Sequence, residues 1–133
     1  MDENEVIASH NDWYRMVETA PFRRVERRVI GCDYGAAGST TRAQADLLGR
    51  LLELRPGKTF LDLGSGAGWP GIYLAATTGA RVLLTDIPEE GRRIASRRLR
   101  HQGIDGSVVA ASGAALPFRD STFDAVTHTD VLC

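Results

Sequence analysis

Lysine, cysteine and long apolar runs are scarce in this chain, and each scarcity excludes something. Lys58 is the only lysine among sixteen basic side chains, and seventeen acidic ones leave a net charge of -1 over 133 residues. That balance removes the bulk attraction on which general polyanion binding relies, so nucleic acid is disfavoured as a partner. The two cysteines, Cys32 and Cys133, stand near opposite ends with no CxxC or Cys/His spacing. Neither a disulfide framework nor a metal site follows from them, and they read as free thiols in a reducing cytoplasm. No apolar run approaches the ~18 residues of a membrane span. Met1 to Glu5 is acidic where a secretory signal would be basic. The expectation is a cytoplasmic protein without a membrane segment.

What is present is ordinary for a folded domain: 43% hydrophobic and 25% charged residues. At this length folding hides roughly two thirds of the unfolded chain's surface, enough for a core without staples.

Residues 1–39 read as an arm and loop. Trp13, Tyr14, Met16 and Val17 suggest a short helix broken by Pro21, and three glycines between Gly31 and Ser39 mark a loop. Thr40 or Thr41 can cap the next helix, in which Ala43, Leu47, Leu48, Leu51, Leu52 and Leu54 recur at helical spacing. Residues 40–133 then alternate. Thr59 to Leu63 is an apolar strand ending in glycines, followed by a helix from Gly68 to Thr78 and a strand from Arg81 to Thr85. Pro88 opens a helix to Gln102, with Ile94, Ala95 and Leu99 inward and arginines on a solvated face. Further strands are expected at Ser107 to Ala110 and Phe123 to His128, extending toward Val131. Alternating strands and helices are the pattern of a parallel α/β sheet.

Chemistry concentrates in Phe60-Leu-Asp-Leu-Gly-Ser-Gly-Ala-Gly-Trp69. A buried strand delivers Asp62 and then Gly64, Gly66 and Gly68 to a strand-to-helix turn, where missing side chains let a ligand lie against the backbone. The following helix offers free N–H groups to a carboxylate or phosphate. Asp86 stands at the end of the next strand, twenty-two residues after Gly64, where an acid accepts from ribose hydroxyls. Together they read as an adenosine-cofactor site. Gly66, Gly68 and Gly71 also satisfy the dinucleotide pattern GxGxxG, which keeps an NAD-binding fragment as an alternative. Against NAD, Pro70 removes a donor from the turn that would hold a pyrophosphate, and Asp62 brings an acid near phosphates. The ammonium-bearing tail of S-adenosylmethionine tolerates that acid better.

These residues resemble the class I S-adenosylmethionine-dependent methyltransferases, in the small-molecule branch similar to methyltransferase type 11. Leu61 to Gly68 is similar to the family's first motif, and Asp86-Ile87-Pro88 to its acidic second-strand motif. Ala115-Leu-Pro-Phe118 and Ser121-Thr-Phe-Asp-Ala-Val126 are similar to its LPF and FD segments. The resemblance implies a Rossmann-like doubly wound parallel sheet with an N-terminal helical arm, and S-adenosylmethionine as cofactor. It implies that Asp62, Gly64, Ser65, Gly66 and Gly68 line the methionine part, that Asp86 binds the ribose, and that Ile87 lies beside the adenine. Ser112 and Gly113 match the adenine-edge position, where the family often has Asp in place of Ser112. His128 and Thr129 match positions beside the reactive methyl group. His128 is a candidate base for an acceptor hydroxyl or amine, although a histidine near a strand end is more often structural.

The reading is therefore a methyltransferase for a small-molecule acceptor. A catalytically silent cofactor-binding or interaction module is the second alternative. In the family the sheet continues past the fourth strand, so the expectation is a domain cut after that strand and completed by self-association or a partner chain at its edge. Phe118 and Phe123 are expected in the core.

Overall fold

The structure is a computed structural model that describes residues 2–36 and 38–131. Cys133, read above as a free thiol, lies outside the described residues. Four strands form one sheet: β1 (Thr59–Leu63), β2 (Arg81–Asp86), β3 (Gly106–Ala110) and β4 (Ala125–His128). Every pairing is parallel and the order is β3-β2-β1-β4. The order in which strands are added thus reverses between β1 and β4, the switch point where open α/β sheets bind ligands beyond their carboxyl ends. This is the parallel sheet the alternating pattern predicts, in the Rossmann-like form the resemblance implies, with β2 and β3 each beginning or ending one residue beyond the expected bounds and β4 starting at Ala125 instead of Phe123.

Helices α4 (Gly71–Thr78) and α5 (Glu89–Gln102) connect β1 to β2 and β2 to β3. Both pack on β2 and on each other. Between them and the strands lies the main core, including Phe60, Ile72, Leu74, Val82, Leu84, Ala95 and Leu99. Ile94, Ala95 and Leu99 face inward as their spacing predicts. Burying each large side chain contributes about 1.5–3 kcal/mol. The helix expected from Gly68 starts at Gly71, because the glycines and Pro70 are spent on the turn ahead of it.

Helix α3 (Arg42–Leu51) begins at Thr41, whose hydroxyl accepts from the Gln44 backbone while the Gln44 side chain accepts from Thr41 N. This capping box satisfies two orphan donors. Its buried face takes in only part of the leucine stripe: Leu54 is in the core with Leu52 packed against it, but Leu47 and Leu51 are 46% and 69% exposed, whereas Ala45 and Gly49 are buried. The small residues let α3 approach α4 closely, since a Cβ on Gly49 would already touch Leu74 and Thr78.

The first thirty residues are more regular than their polar composition predicts. Helix α1 (Glu3–Val17) is capped by Asp2 in a capping box with Glu5. Helix α2 (Ala20–Val29) carries Pro21 in its first turn, so the proline opens a second helix and does not merely end the first. Tyr14 and Val17 are buried with Ala67 and Ile94, and α1 packs against α5. Phe118 and Phe123 are half-buried and meet each other edge to face at 5.0 Å. Among the described residues no helix is long and apolar enough to cross a membrane.

Candidate functional site

The turn between β1 and α4 is built by hydrogen bonds that converge on two carboxylates. Ser65 N donates to Thr85 O (3.0 Å) and Gly68 N to Ser65 O (2.8 Å), which folds the glycines back over the ends of β1 and β2. Gly66 N donates to Asp86 Oδ2 at 2.7 Å, and Ile87 N to Asp86 Oδ1 at 2.8 Å. Gly66 has φ +52, and a Cβ there would lie 2.5 Å from the Tyr14 hydroxyl, so only glycine fits both the backbone and its neighbour. An ionised carboxylate offers about four acceptor positions. Two backbone bonds therefore leave Asp86 able to accept from further hydroxyls. Burial raises its pKa against the opposing pull of the Ile87 and Gly66 amides and the charges of His10 and Arg92.

Asp62 serves a different purpose. Its side chain is fully buried, with Oδ2 accepting from Gly71 N (3.0 Å) and Oδ1 from the Thr127 hydroxyl (2.8 Å). It ties the start of α4 to β4 from beneath the turn and lines neither cavity described below. Desolvation pushes its pKa up to about 7, with the Thr127 and Gly71 hydrogen bonds opposing the rise.

Above the turn is a cavity of about 100 Å³ lined by Gly64, Ser65, Gly66 and Ala67, by Thr129 and Asp130 beyond β4, and by His10 and Tyr14 of α1. Ser65 Oγ is buried without a hydrogen-bond partner among the described residues. A buried hydroxyl left unpaired costs free energy, which marks it as a contact for a polar ligand group. A second cavity of about 210 Å³ lies between α1 and the β2–α5 turn, against Val6, Ile7, His10, Asp86, Ile87 and Pro88.

Gly64, Ser65, Gly66 and Thr129 thus line the first cavity, and Asp86 and Ile87 the second. The remaining expected site residues line neither. The open face of Gly68 is taken by Ile72, and that of Gly113 by Leu63. Ser112 forms a short antiparallel bridge with Ala115. His128 pairs in register with Leu63 and is exposed at the end of β4.

The wall opposite the glycine turn is fastened by residues that motif reading missed. Residues 34–36 and 38–40 of the loop are fastened from several sides. The Glu26 carboxylate, buried on α2, accepts from the amides of Tyr34 (2.8 Å), Gly35 (2.8 Å) and Ala36 (3.1 Å). Trp69 Nε1 donates to Thr40 O (2.8 Å), and its ring packs with Tyr34 and Tyr73. Asp130 accepts from Ser39 N and Oγ, both at 3.0 Å. Burial alone would raise the Asp130 pKa, but the Ser39 and Thr40 hydrogen bonds outweigh it and hold the carboxyl below its ordinary value.

Arg98 departs from the solvated face expected of the arginine-rich helix. Its guanidinium is mostly buried, donates to Ala67 O (2.9 Å), Tyr34 O and Glu18 (2.8 Å), and lies 5.5 Å from the Tyr34 ring centre. One side chain therefore joins the α1–α2 corner, the loop and the glycine turn.

Residues 60–133 match the family model described as a methyltransferase domain. The chain is 35% identical over 140 residues to squalene methyltransferase 1 of Botryococcus braunii, a match covering 99% of this chain and 36% of that protein. It is 40% identical over 78 residues to the ubiquinone/menaquinone biosynthesis C-methyltransferase UbiE of Klebsiella pneumoniae, covering 56% and 31%. In structure it is similar to an S-adenosylmethionine-dependent methyltransferase from Geobacter sulfurreducens bound to S-adenosylhomocysteine. There the TM-score is 0.65 at 20% identity, over 81% of this chain and 43% of that one. A counterpart from Thiobacillus denitrificans gives 0.62 at 22% identity, over 79% and 42%. The chain spans about a third of the length of the curated relatives it matches.

Proposed function

Because the chain belongs to the methyltransferase-domain family, we propose that it is an S-adenosylmethionine-dependent methyltransferase acting on a small-molecule acceptor. The observation that carries this reading is Asp86. It closes the glycine turn through Gly66 N and keeps acceptor capacity for ribose hydroxyls, beside a cavity in which the Ser65 hydroxyl has no partner among the described residues. The donor set fits the group: the Ser65 hydroxyl for an amino-acid tail, the Asp86 carboxylate for the ribose, and Ile87 and Pro88 for the adenine face.

S-adenosylmethionine, when bound, supplies an electrophilic methyl group on a sulfonium centre. The protein's own share is positioning and the exclusion of water. Gly64, Ser65 and Gly66 hold the tail against the backbone, and Ala36 and Gly38, in the stretch pinned by Glu26, Trp69 and Asp130, cover it. Thr129 lines the cavity wall, and His128, just before it in the chain but outside both cavities, is kept as the candidate base for an acceptor proton. A small-molecule acceptor is supported by the names of the relatives, a squalene and a quinone-pathway methyltransferase.

The competing NAD reading is disfavoured by Pro70, which precedes α4 and brings no N–H to the turn. Calorimetric titration of the same protein with S-adenosylhomocysteine and with NADH separates the two. Tighter binding of S-adenosylhomocysteine supports the proposal, and tighter binding of NADH replaces it.

A further inference from the structure

Helix α2 has two unlike sides. On one, the Glu26 carboxylate is buried and taken up by the amides of Tyr34, Gly35 and Ala36, while Arg23 and Arg27 both pair with Asp33 at 2.6 Å. The other side keeps Val25 and Val29, one helical turn apart, at 59% and 69% exposure. Arg24 and Arg28, also one turn apart, stand exposed beside them. Neither of these two arginines has an ion-pair or hydrogen-bond partner among the described residues.

The apolar part of this side continues onto α1. Phe22, three residues before Val25 and half-buried, meets Trp13 edge to face at 5.3 Å. Trp13 and Met16, three apart on α1, are 39% and 43% exposed. A connected run of exposed apolar side chains is the mark of an interaction surface. Neither cavity of the candidate site reaches α2, so this side is not shaped around a single small ligand.

Charge says what it meets. The acids nearest in the chain are already engaged: Asp12 with Arg15 at 2.7 Å, Glu18 with Arg97 and Arg98, Asp33 with Arg23 and Arg27. Positive charge is therefore left uncompensated beside the valines, although the chain as a whole carries -1. Aliphatic and aromatic residues flanked by arginine along one helix side suit a membrane interface. The apolar groups enter the acyl boundary and the guanidinium groups stay among phosphates.

We propose that the outer side of the α1–α2 corner docks on an anionic lipid surface through Val25, Val29 and Trp13, with Arg24 and Arg28 on lipid phosphates. Such a helix lies along the surface, so no spanning segment is required. The same two helices serve the site from their other sides. His10 and Tyr14 of α1 line the first cavity, and Glu26 of α2 holds Ala36, which lines it too. Docking is independent of the cofactor reading, because none of its residues lines either cavity.

The test is binding of the full chain to lipid vesicles, followed by co-sedimentation and by tryptophan fluorescence. Of the two tryptophans Trp69 is buried, so a blue shift on adding vesicles reports Trp13. The unaltered protein is expected to bind vesicles of equal parts phosphatidylcholine and phosphatidylglycerol with that shift. It should bind phosphatidylcholine alone far more weakly, and salt should release it. Arg24→Gln with Arg28→Gln weakens binding about twenty-five-fold, about fivefold for each charge. Val25→Ser with Val29→Ser keeps the charges and weakens binding severalfold. All four side chains are exposed, and circular dichroism confirms that both double variants stay folded. No binding of the unaltered protein to the mixed vesicles, or equal binding by either folded double variant, overturns the proposal. So does a dimer in sedimentation velocity that Val25→Ser with Val29→Ser dissolves, since the surface then belongs to a second copy of the chain.

Discussion

Asp130 and Ser39 meet across ninety-one positions of chain: the carboxylate takes both the backbone N–H and the hydroxyl of Ser39, each at 3.0 Å. The contact joins the turn after β4 to the loop before α3 directly over the glycine turn. A Cβ on Gly38 would clash with the same carboxylate, so the absence of a side chain there admits the bond.

Asp130→Ala should free the loop without unfolding the domain. Amide exchange at Ser39 and Thr40 is expected to quicken, and denaturant midpoints to fall by an amount equivalent to about 1 kcal/mol. The folded pKa is lowered, so this stabilisation is full above the unfolded value near 4 and fades as pH falls through the folded one. Exchange at Ser39 in the unaltered protein should therefore rise on acidification below about pH 4, and the variant should lack that rise.

Arg98→Ala should cost much more. It leaves Ala67 O and Tyr34 O without their guanidinium partner, while Glu18 keeps Arg97. A loss of about 2–4 kcal/mol is expected in urea denaturation. Arg98→Lys should recover only part of it, because an ammonium cannot span the same fork of acceptors. Equal stability of Arg98→Ala and the unaltered protein would show that the clamp does not hold the turn.

Burial of Asp62 gives the fold a pH dependence of the opposite sign. Its pKa rises from 3.8 to about 7 on folding, so the folded state binds the extra proton between those values. Stability is then full below about pH 4 and declines as pH rises to about 7, at up to about 1.4 kcal/mol per unit. Asp62→Asn should flatten that slope. The asparagine oxygen can accept from Gly71 N, and its amide can donate to Thr127, whose hydroxyl turns to Leu61 O, 3.4 Å away. Denaturation at pH 5 and pH 7 distinguishes the outcomes, since an unchanged slope in the variant would locate the titration elsewhere.

The sheet and the floor of the site were legible because they rest on local patterns. Apolar runs ending in glycine gave β1 and its turn, Pro88 and Gly103 bracketed α5, and spacing alone put Asp86 beside Gly66. Asp62 shows the limit of motif reading: its position in the motif is right, but its two hydrogen bonds face inward to Gly71 and Thr127. What fastens the roof was not legible. Glu26, Arg98 and Asp130 look like surface charges in sequence, and their partners lie eight to ninety-one positions away. Pro21 misled because a proline ends one helix and opens another equally well. On α3, leucines drew attention away from Ala45 and Gly49, the small residues that set its contact. One signal was available for α1: His10 and Tyr14 stand four apart, a polar pair on one helical face.

The central claim is that Asp86 holds the ribose of an adenosine cofactor at the glycine turn. Its most direct test is calorimetric titration with S-adenosylhomocysteine of the unaltered protein and of Asp86→Ala, with circular dichroism confirming that both are folded. The account predicts saturable binding by the unaltered protein and at least a tenfold loss in the variant, the scale of charge-assisted hydrogen bonds. Equal binding by a folded Asp86→Ala protein would contradict it.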